Sequence, residues 1–331
     1  MSESTTQNYN HLKIHSQYSI CEGAIKIDDL KEFSKTNKIQ SLGLSDTTNL
    51  CGALEFAEKI SKVGTQPIIG TQINFKFSDT VGLLPLFALD EEGYKRIIKL
   101  SSFSFLNNDE LSEPHLDFNE LLEDTHGVAI LSGTIFGLFG QLFDKGKFTE
   151  IKDLYSKLKE KFGDRFYLEI QRHNDQNELS FEKFNLNKSL ELSIPLIATN
   201  EVFYLNKDMH EAHDALICIG RKTYINDKTR KRYSDQHYLK SNLEMAELFS
   251  DLPEALENNY NFPLRCNFRP LFSNPILPNI SSEKGGNADD ILRKDSLDGL
   301  KDKFHKVFGI KNNQIENNNI FLEYKDRLDH E

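Results

Sequence analysis

The sequence contains no tryptophan, few cysteines and no apolar run approaching the roughly 18 residues of a membrane-spanning helix. The four cysteines, Cys21, Cys51, Cys218 and Cys266, have no paired CxxC spacing, which excludes a dense disulfide framework. Reduced thiols are typical of cytoplasmic proteins, and residues 1–9 form a polar tail without the apolar core of a signal peptide. We therefore expect a soluble, cytoplasmic protein that makes no contact with a membrane.

Basic residues are also fewer than acidic residues. The 331 residues carry 40 Lys and Arg against 51 Asp and Glu, which gives a net charge of -11 and a pI of about 5.5. This balance excludes a chain whose whole surface binds nucleic acid, but it leaves room for a local basic patch. A hydrophobic fraction of 38% is enough for one large domain or two smaller ones.

Short apolar runs alternate with helical patterns through the first 200 residues. Strands are predicted at residues 11–15, 41–44, 67–77, 84–89, 128–131, 166–170 and 195–199. Repeated strand–helix units predict an α/β protein with a mostly parallel sheet, either open or closed into a barrel. In such folds functional residues lie at the carboxyl ends of the strands.

The character of the chain changes after residue 220. A basic run contains a single acid, Asp227, among six cationic residues: Arg221, Lys222, Lys228, Arg230, Lys231 and Arg232. Such a run is able to contact a DNA backbone by charge alone, and a solvated loop is the alternative. Prolines and a Gly-Gly pair predict a linker over residues 271–287. Helices are predicted at 288–308 and 320–329, and the abrupt end suggests a truncated fragment.

The run at residues 11–19 reads His-Leu-Lys-Ile-His-Ser-Gln-Tyr-Ser. Residues two apart in a strand share a face, so Lys13 and His15 point together into any cleft that the strand lines. A His-x-His pair there would bind a transition metal, whereas an ammonium group repels a cation. The pattern therefore indicates a metal-binding strand that has lost part of its chemistry.

Several runs, in a fixed order, resemble one family. They lie at residues 11–19, 22–25, 44–53, 66–70, 92–94, 131–133, 195–201 and 211–216. Together they resemble the amino-terminal PHP (polymerase and histidinol phosphatase) domain of the alpha subunit of bacterial DNA polymerase III. The resemblance implies a distorted barrel of about seven strand–helix units over residues 10–270, and the truncated, helical start of a polymerase body at 288–331.

In metal-competent members of this family, nine side chains hold a metal cluster that activates water. The corresponding positions here are Lys13, His15, Glu22, Thr47, Gln72, Leu83, Thr134, Glu201 and Phe203. Only His15, Glu22 and Glu201 keep a side chain able to bind a metal, fewer than a cluster needs. The resemblance therefore implies a metal-free cleft, in which Lys13 is able to pair with Glu22 or Glu201.

Three functions follow from these patterns. The first is a segment of a replicative DNA polymerase, non-catalytic by itself, that acts as a scaffold and docks the proofreading exonuclease (epsilon) subunit. The resemblance places the Mg²⁺ of polymerisation outside this segment, and contact with DNA and the replisome in the parent chain. The second is a metal-dependent PHP phosphoesterase or exonuclease, and the third is a free-standing interaction module. Downstream polymerase sequence would separate the first from the third.

Overall fold

The computed structural model describes residues 9–108, 112–230, 232–275, 287–310, 315 and 317–331. The chain divides into two compact units, Met1–Phe272 and Ser273–Glu331. Most of the predicted polar tail (1–8), most of the predicted linker (276–286) and Lys231 lie outside the described residues. The domain boundaries drawn from the sequence stay a prediction.

Unit 1 is built on a curved sheet with helices around it. Its strands are β1 (Lys13–Ile14), β2 (Ser41–Thr47), β3 (Gln66–Phe77), β4 (Thr80–Ala88), β5 (Leu116–Asp117), β6 (Val128–Leu131), β7 (Phe166–Ile170), β8 (Leu196–Ala198) and β9 (Glu201–Val202). The main sheet has the order β2-β3-β4-β6-β7-β8, with β5 on β3. All of its pairs are parallel except those of β4, which runs antiparallel to β3 and β6.

A second, short pair lies between the two edges of this sheet. Strand β1 pairs in parallel with β9, which follows β8 after two residues. The amide of Gly43 in β2 donates to the carbonyl of His11, 2.7 Å away, just before β1. A Cβ at Gly43 would lie 2.4 Å from the carbonyl oxygen of Leu12, so only glycine allows this approach. The β1–β9 pair thus brings the sheet edges together, and the predicted distorted α/β barrel is confirmed.

Helices connect the strands and cover the outer face of the sheet. In unit 1 they are α1 (Ile27–Asn37), α2 (Ala53–Ser61), α3 (Glu91–Leu106), α4 (Phe118–Glu123), α5 (Leu138–Asp144), α6 (Phe148–Phe162), α7 (Glu178–Leu192), α8 (His210–Arg221), α9 (Asn242–Leu248) and α10 (Pro253–Asn261). Ser241 and Glu244 form a reciprocal capping box at the start of α9.

The interior face of the barrel is apolar at one end. Successive strands contribute Ile68, Phe87, Leu131, Tyr167 and Ile197 to one buried cluster. Phe262 joins the cluster from the turn after α10, and its ring packs edge-to-face on Phe87. Since alternate residues of an extended chain share a face, the same interior is lined nearer its other end by Gln72 on β3, by Glu169 and Gln171 on and just after β7, and by Thr199 and Glu201 after β8.

Unit 2 contains α11 (Ala288–Phe308) and α12 (Asn319–His330). Phe304, Ile315 and Phe321 form its small buried cluster. Both helices were predicted from the sequence, and Asn287 and Asn318 cap their amino ends. A search of the described part of the chain found no helix long and apolar enough to cross a membrane.

Candidate functional site

A polar layer lies above the apolar end of the barrel, and Lys13 is at its centre. The Lys13 ammonium is buried, 2.6 Å from Glu201 Oε2 and 3.1 Å from Glu169 Oε1. Burial by itself lowers the pKa of Lys13, but the charges of the two carboxylates outweigh it and raise that pKa above its ordinary value. The pairing of Lys13 with Glu201, which the sequence predicts, is present. The contact of Lys13 with Glu169 was not predicted.

The two carboxylates differ in their surroundings. Burial favours the neutral form of Glu201, but Lys13 and His15 outweigh it and hold the pKa of this carboxyl well below its usual range. Burial raises the pKa of Glu169, against the charge of Lys13. Glu169 Oε1 also accepts hydrogen bonds from Thr199 and from Gln171, the latter at 2.8 Å. The layer is therefore a buried ion-pair network centred on one lysine.

His15 extends this network toward the cleft. Its Nε2 lies 2.6 Å from Glu201 Oε1, which also accepts a hydrogen bond from the Gln72 amide. Burial lowers the pKa of His15, but the hydrogen bond and charge of Glu201 overcome this effect and raise it. Its Nδ1 lies 3.2 Å from Thr47 Oγ1, and the Thr47 hydroxyl donates to Glu22.

The turn that carries Glu22 is held by buried polar groups. Asp46 Oδ1 accepts hydrogen bonds from the Ser16 amide and the Ser19 hydroxyl, both at 2.7 Å. A Cβ at Gly23 would lie 2.1 Å from the Ser16 carbonyl oxygen, so the chain closes on itself here only with glycine. Asp46 thus orders the loop after β1.

A cavity of about 320 Å³ lies above the network. Its walls include all nine predicted positions except Lys13, which is buried beneath it. Phe203 occupies a place where the family pattern has a ligand, and its ring lies 4.6 Å from that of His15 and 4.8 Å from that of Tyr233. Leu83 reaches this rim because β4 is antiparallel and starts where its neighbours end. The fold brings the nine positions together, and their roles stay a prediction.

A second polar cluster lies at the edge of the cavity and was missed from the sequence. His173 and Asp175 follow β7, and His237 comes from the segment before α9. Burial lowers the pKa of both histidines to about 4, so both rings are neutral at pH 7. Burial raises the pKa of the adjacent Glu178 to about 7. The alternation of residues along β7 could have placed Glu169 and Gln171 in the interior of the barrel. No local sequence pattern, however, links His237 to the loop that carries His173 and Asp175.

The basic run follows α8 and divides into two parts. Arg230 forms a bidentate pair with Asp214 of α8, at 2.5 and 2.6 Å, and its side chain is 6% exposed. Arg232 lies 3.0 Å from Glu211 on the same helix. Arg221, Lys222 and Lys228 are exposed, and Arg221 also lines the cavity. Contact of this run with DNA stays a prediction, and for Arg230 it would compete with Asp214.

The fold and the site define a class of protein: an α/β barrel of the PHP type with a polar cleft at the end of its strands. Residues 11–173 match the family described as "PHP domain". The chain is 38% identical over 323 residues to a DNA polymerase III subunit alpha from Rickettsia conorii, covering 97% of this chain and 27% of that protein. The corresponding subunit from Caulobacter vibrioides is 35% identical over 314 residues, covering 91% and 27%.

One solved structure also aligns with part of this chain. A two-domain protein from Bacteroides vulgatus, containing a predicted PHP-like metal-dependent phosphoesterase, aligns with a TM-score of 0.37 and 12% identity, over 72% of this chain and 62% of that one. The sequence comparisons indicate one family more specifically than this structural alignment does. The chain belongs to the family of the DNA polymerase III alpha subunits and carries its PHP domain. It spans about a quarter of the length of the curated relatives it matches, 27% in the two named here.

Proposed function

We propose that this chain is the amino-terminal segment of a replicative DNA polymerase, whose parent chain performs DNA-templated DNA synthesis with Mg²⁺. The similarity to alpha subunits over 97% of the chain supports this proposal. Within that enzyme the segment is a non-catalytic scaffold. Its PHP cleft has exchanged a metal cluster for an internal ion-pair network.

One observation carries the proposal of a metal-free cleft: the Lys13 ammonium lies between Glu201 and Glu169, at 2.6 and 3.1 Å. A cation at this point would meet a fixed positive charge at close range in a medium of low dielectric constant. The Glu201 carboxylate is already neutralised, because it is shared by Lys13, His15 and Gln72. His15 and Glu201, which would otherwise bind a metal, are therefore hydrogen-bonded to each other.

We infer the scaffold role from the absence of metal-binding side chains at six of the nine family positions in the cleft. A replicase with no nuclease chemistry in its PHP domain needs another source of proofreading, and we propose that this segment docks the epsilon exonuclease. Apolar side chains remain exposed on unit 1, among them Ile219, Tyr224 and Ile225 next to the basic run. A contiguous exposed patch of such side chains would be a candidate contact surface for a protein partner.

Two assays test these roles. The purified chain, supplied with Mn²⁺ or Zn²⁺, is assayed on bis(p-nitrophenyl) phosphate and on single-stranded DNA, and we expect no hydrolysis above the metal-only blank. The chain is then mixed with the epsilon subunit and passed over a sizing column, and we expect co-elution. Metal-dependent hydrolysis that His15→Ala abolishes would favour the phosphoesterase function. Separate elution of the two proteins would contradict docking by this segment.

A further inference from the structure

Two histidines and an aspartate meet at the edge of the cleft, outside the nine positions of the old metal cluster. One ring nitrogen of His173, one of His237 and one carboxylate oxygen of Asp175 all lie within 4.8 Å of one another. The two imidazole rings are parallel, 4.0 Å apart, and His237 Nε2 lies 3.0 Å from Asp175 Oδ2. Both histidines are buried, and Asp175 is half-buried. The proposed function gives this cluster no task.

The contacts of His237 are unusual for a neutral imidazole. Its Nδ1 lies 3.1 Å from the carbonyl oxygen of Glu201, and its Nε2 faces the Asp175 carboxylate. Both neighbours are acceptors, but a neutral ring has only one N–H. If Nδ1 donates to the carbonyl, the Nε2 lone pair faces a carboxylate oxygen. A positive charge between these two atoms, either a proton or a metal ion, removes the conflict.

His173 is oriented by a carboxylate, as histidine ligands of metals usually are. Its Nδ1 lies 3.2 Å from Glu178 Oε1, and its own amide donates to Glu178 Oε2 at 2.7 Å. For His237, the Glu201 carbonyl is the comparable outer partner. Such partners fix the orientation of each ring. The other nitrogen of His173, Nε2, accepts a hydrogen bond from the Glu201 amide at 3.2 Å and lies 3.0 Å from Asn200 Oδ1, so a bound ion would replace these two contacts.

We propose that His173, Asp175 and His237 bind one divalent transition-metal ion of the zinc type. Two imidazoles and a carboxylate suit Zn²⁺ and its neighbours, whereas Mg²⁺ and Ca²⁺ prefer oxygen ligands alone. Three protein ligands leave a position for water, and Asp175 and His237 line the cavity through which an ion enters. Because an ion lies in the plane of each ring that binds it, binding turns one ring out of the parallel stack.

The site would join two segments that are far apart in sequence, the loop after β7 and the segment before α9. Both lie against the β1–β9 pair, since Glu201 contacts His173 through its amide and His237 through its carbonyl. An ion there would hold the rim of the cleft without entering the Lys13 network. It is therefore compatible with a cleft that lacks its metal cluster.

The test uses the purified chain, stripped with EDTA and then dialysed against ZnCl₂. Bound zinc is counted by mass spectrometry, and the ring nitrogens are followed by long-range ¹H–¹⁵N NMR during a zinc titration. We expect about one ion per chain, and shifts of the His173 and His237 nitrogens. His237→Gln and Asp175→Asn should each lose the ion. His213→Gln and Asp235→Asn are matched controls, one buried and one on the same segment as His237, and should keep it.

Three results would overturn the proposal: no zinc above background in the wild-type chain, zinc retained in both site variants, or unchanged ring-nitrogen shifts on saturation. The second would place the ion elsewhere. The first, with His237 doubly protonated by NMR, would show that a proton fills the gap. If a site variant does not fold, the NMR titration of the wild-type chain decides by itself. Two or more ions that survive His237→Gln would instead contradict the metal-free cleft.

Discussion

Lys13 and Glu201 are register partners on the parallel strands β1 and β9, and their charged ends meet at 2.6 Å. Because paired residues of adjacent strands point to the same side, the register itself directs both side chains into the barrel. The strand pair that brings the sheet edges together is thus also the pair that neutralises the cleft. Under the proposed function, fold closure and the loss of metal chemistry involve the same two residues.

Removing Lys13 should destabilise the protein strongly. Lys13→Ala leaves Glu169 and Glu201 buried without their cation, and breaking a buried pair from one side costs about 3–5 kcal/mol. Urea denaturation at neutral pH measures the loss. Lys59→Ala, which removes a surface lysine paired with Asp28 and Glu55, is the control and should change stability little. A Lys13→Ala chain as stable as the wild type would show that the network contributes nothing.

Stability should fall as the pH falls from about 6.5 to about 4. Burial lowers the pKa of His11, His173 and His237 to about 4, below the ordinary 6.5 that applies to the unfolded chain. In this window the unfolded chain binds protons that the folded chain does not, so the unfolding free energy becomes smaller as the pH falls. Urea midpoints at pH 7 and pH 5, in EDTA, measure the effect.

His15 contributes with the opposite sign at higher pH. Its pKa is raised in the folded protein, so its stabilising effect is complete below about 6.5 and is lost as pH rises through the folded value. His15→Gln should therefore flatten the alkaline side of the stability profile and leave the acid side in place. A stability that is level between pH 5 and 7 would contradict the histidine assignments.

The approach of β2 to β1 should not tolerate a side chain. In Gly43→Ala the new Cβ would lie 2.4 Å from the backbone oxygen of Leu12, so the strands must separate, at a cost of about 1–3 kcal/mol or more. Thermal unfolding measures the loss. Gly299→Ala, in a part of α11 with open space around it, is the control and should be neutral or slightly stabilising. An unchanged melting temperature in Gly43→Ala would argue against this closure.

The free part of the basic run should carry any contact with DNA. A triple variant with Arg221, Lys222 and Lys228 changed to Ala should weaken binding of a labelled duplex and reduce the slope of log affinity against log salt by about one per lost phosphate contact. Fluorescence anisotropy over a range of salt concentrations measures both quantities. Equal binding by the two chains would show that the run is a solvated loop.

A matched variant controls for net charge. Three exposed lysines elsewhere on unit 1 can be changed to Ala together: Lys35, Lys157 and Lys161. This chain loses the same charge and should bind DNA like the wild type. Loss of binding in this control would mean that the effect comes from overall charge.

Much of the barrel was predictable because its strands are apolar and their alternation is regular. Strands β6 and β7 and helix α11 have the predicted bounds. The antiparallel course of β4 was not predicted, because the two-residue turn at Ser78 and Asp79 lacks the glycine of the strongest hairpin signals. Helix α7 was missed because Glu182 and Asn185 are buried beside Phe181, which weakens its apolar period.

From the residues alone, the site was predictable only where one strand supplies it, and the family resemblance supplied the remaining positions of the cleft. Alternation placed Lys13 and His15 together, and the family pattern added Glu201. Glu169 was overlooked, although it alternates with Tyr167 on a correctly predicted strand, because it falls at none of the nine family positions. His237 meets His173 through a contact across 64 residues, and no local pattern carries such information. Because the loops that carry these residues are far apart in sequence, their contacts cannot be read from local sequence patterns.

We propose that the Lys13 network has replaced the metal cluster of the PHP cleft. The most direct test counts the metal bound to His237→Gln, in which the separate proposed site is removed, after dialysis against ZnCl₂ and MnCl₂. We expect no ion above the buffer background by mass spectrometry, with the fold checked by circular dichroism. Two or three ions per folded chain, released on substitution of His15 or Glu201, would contradict it.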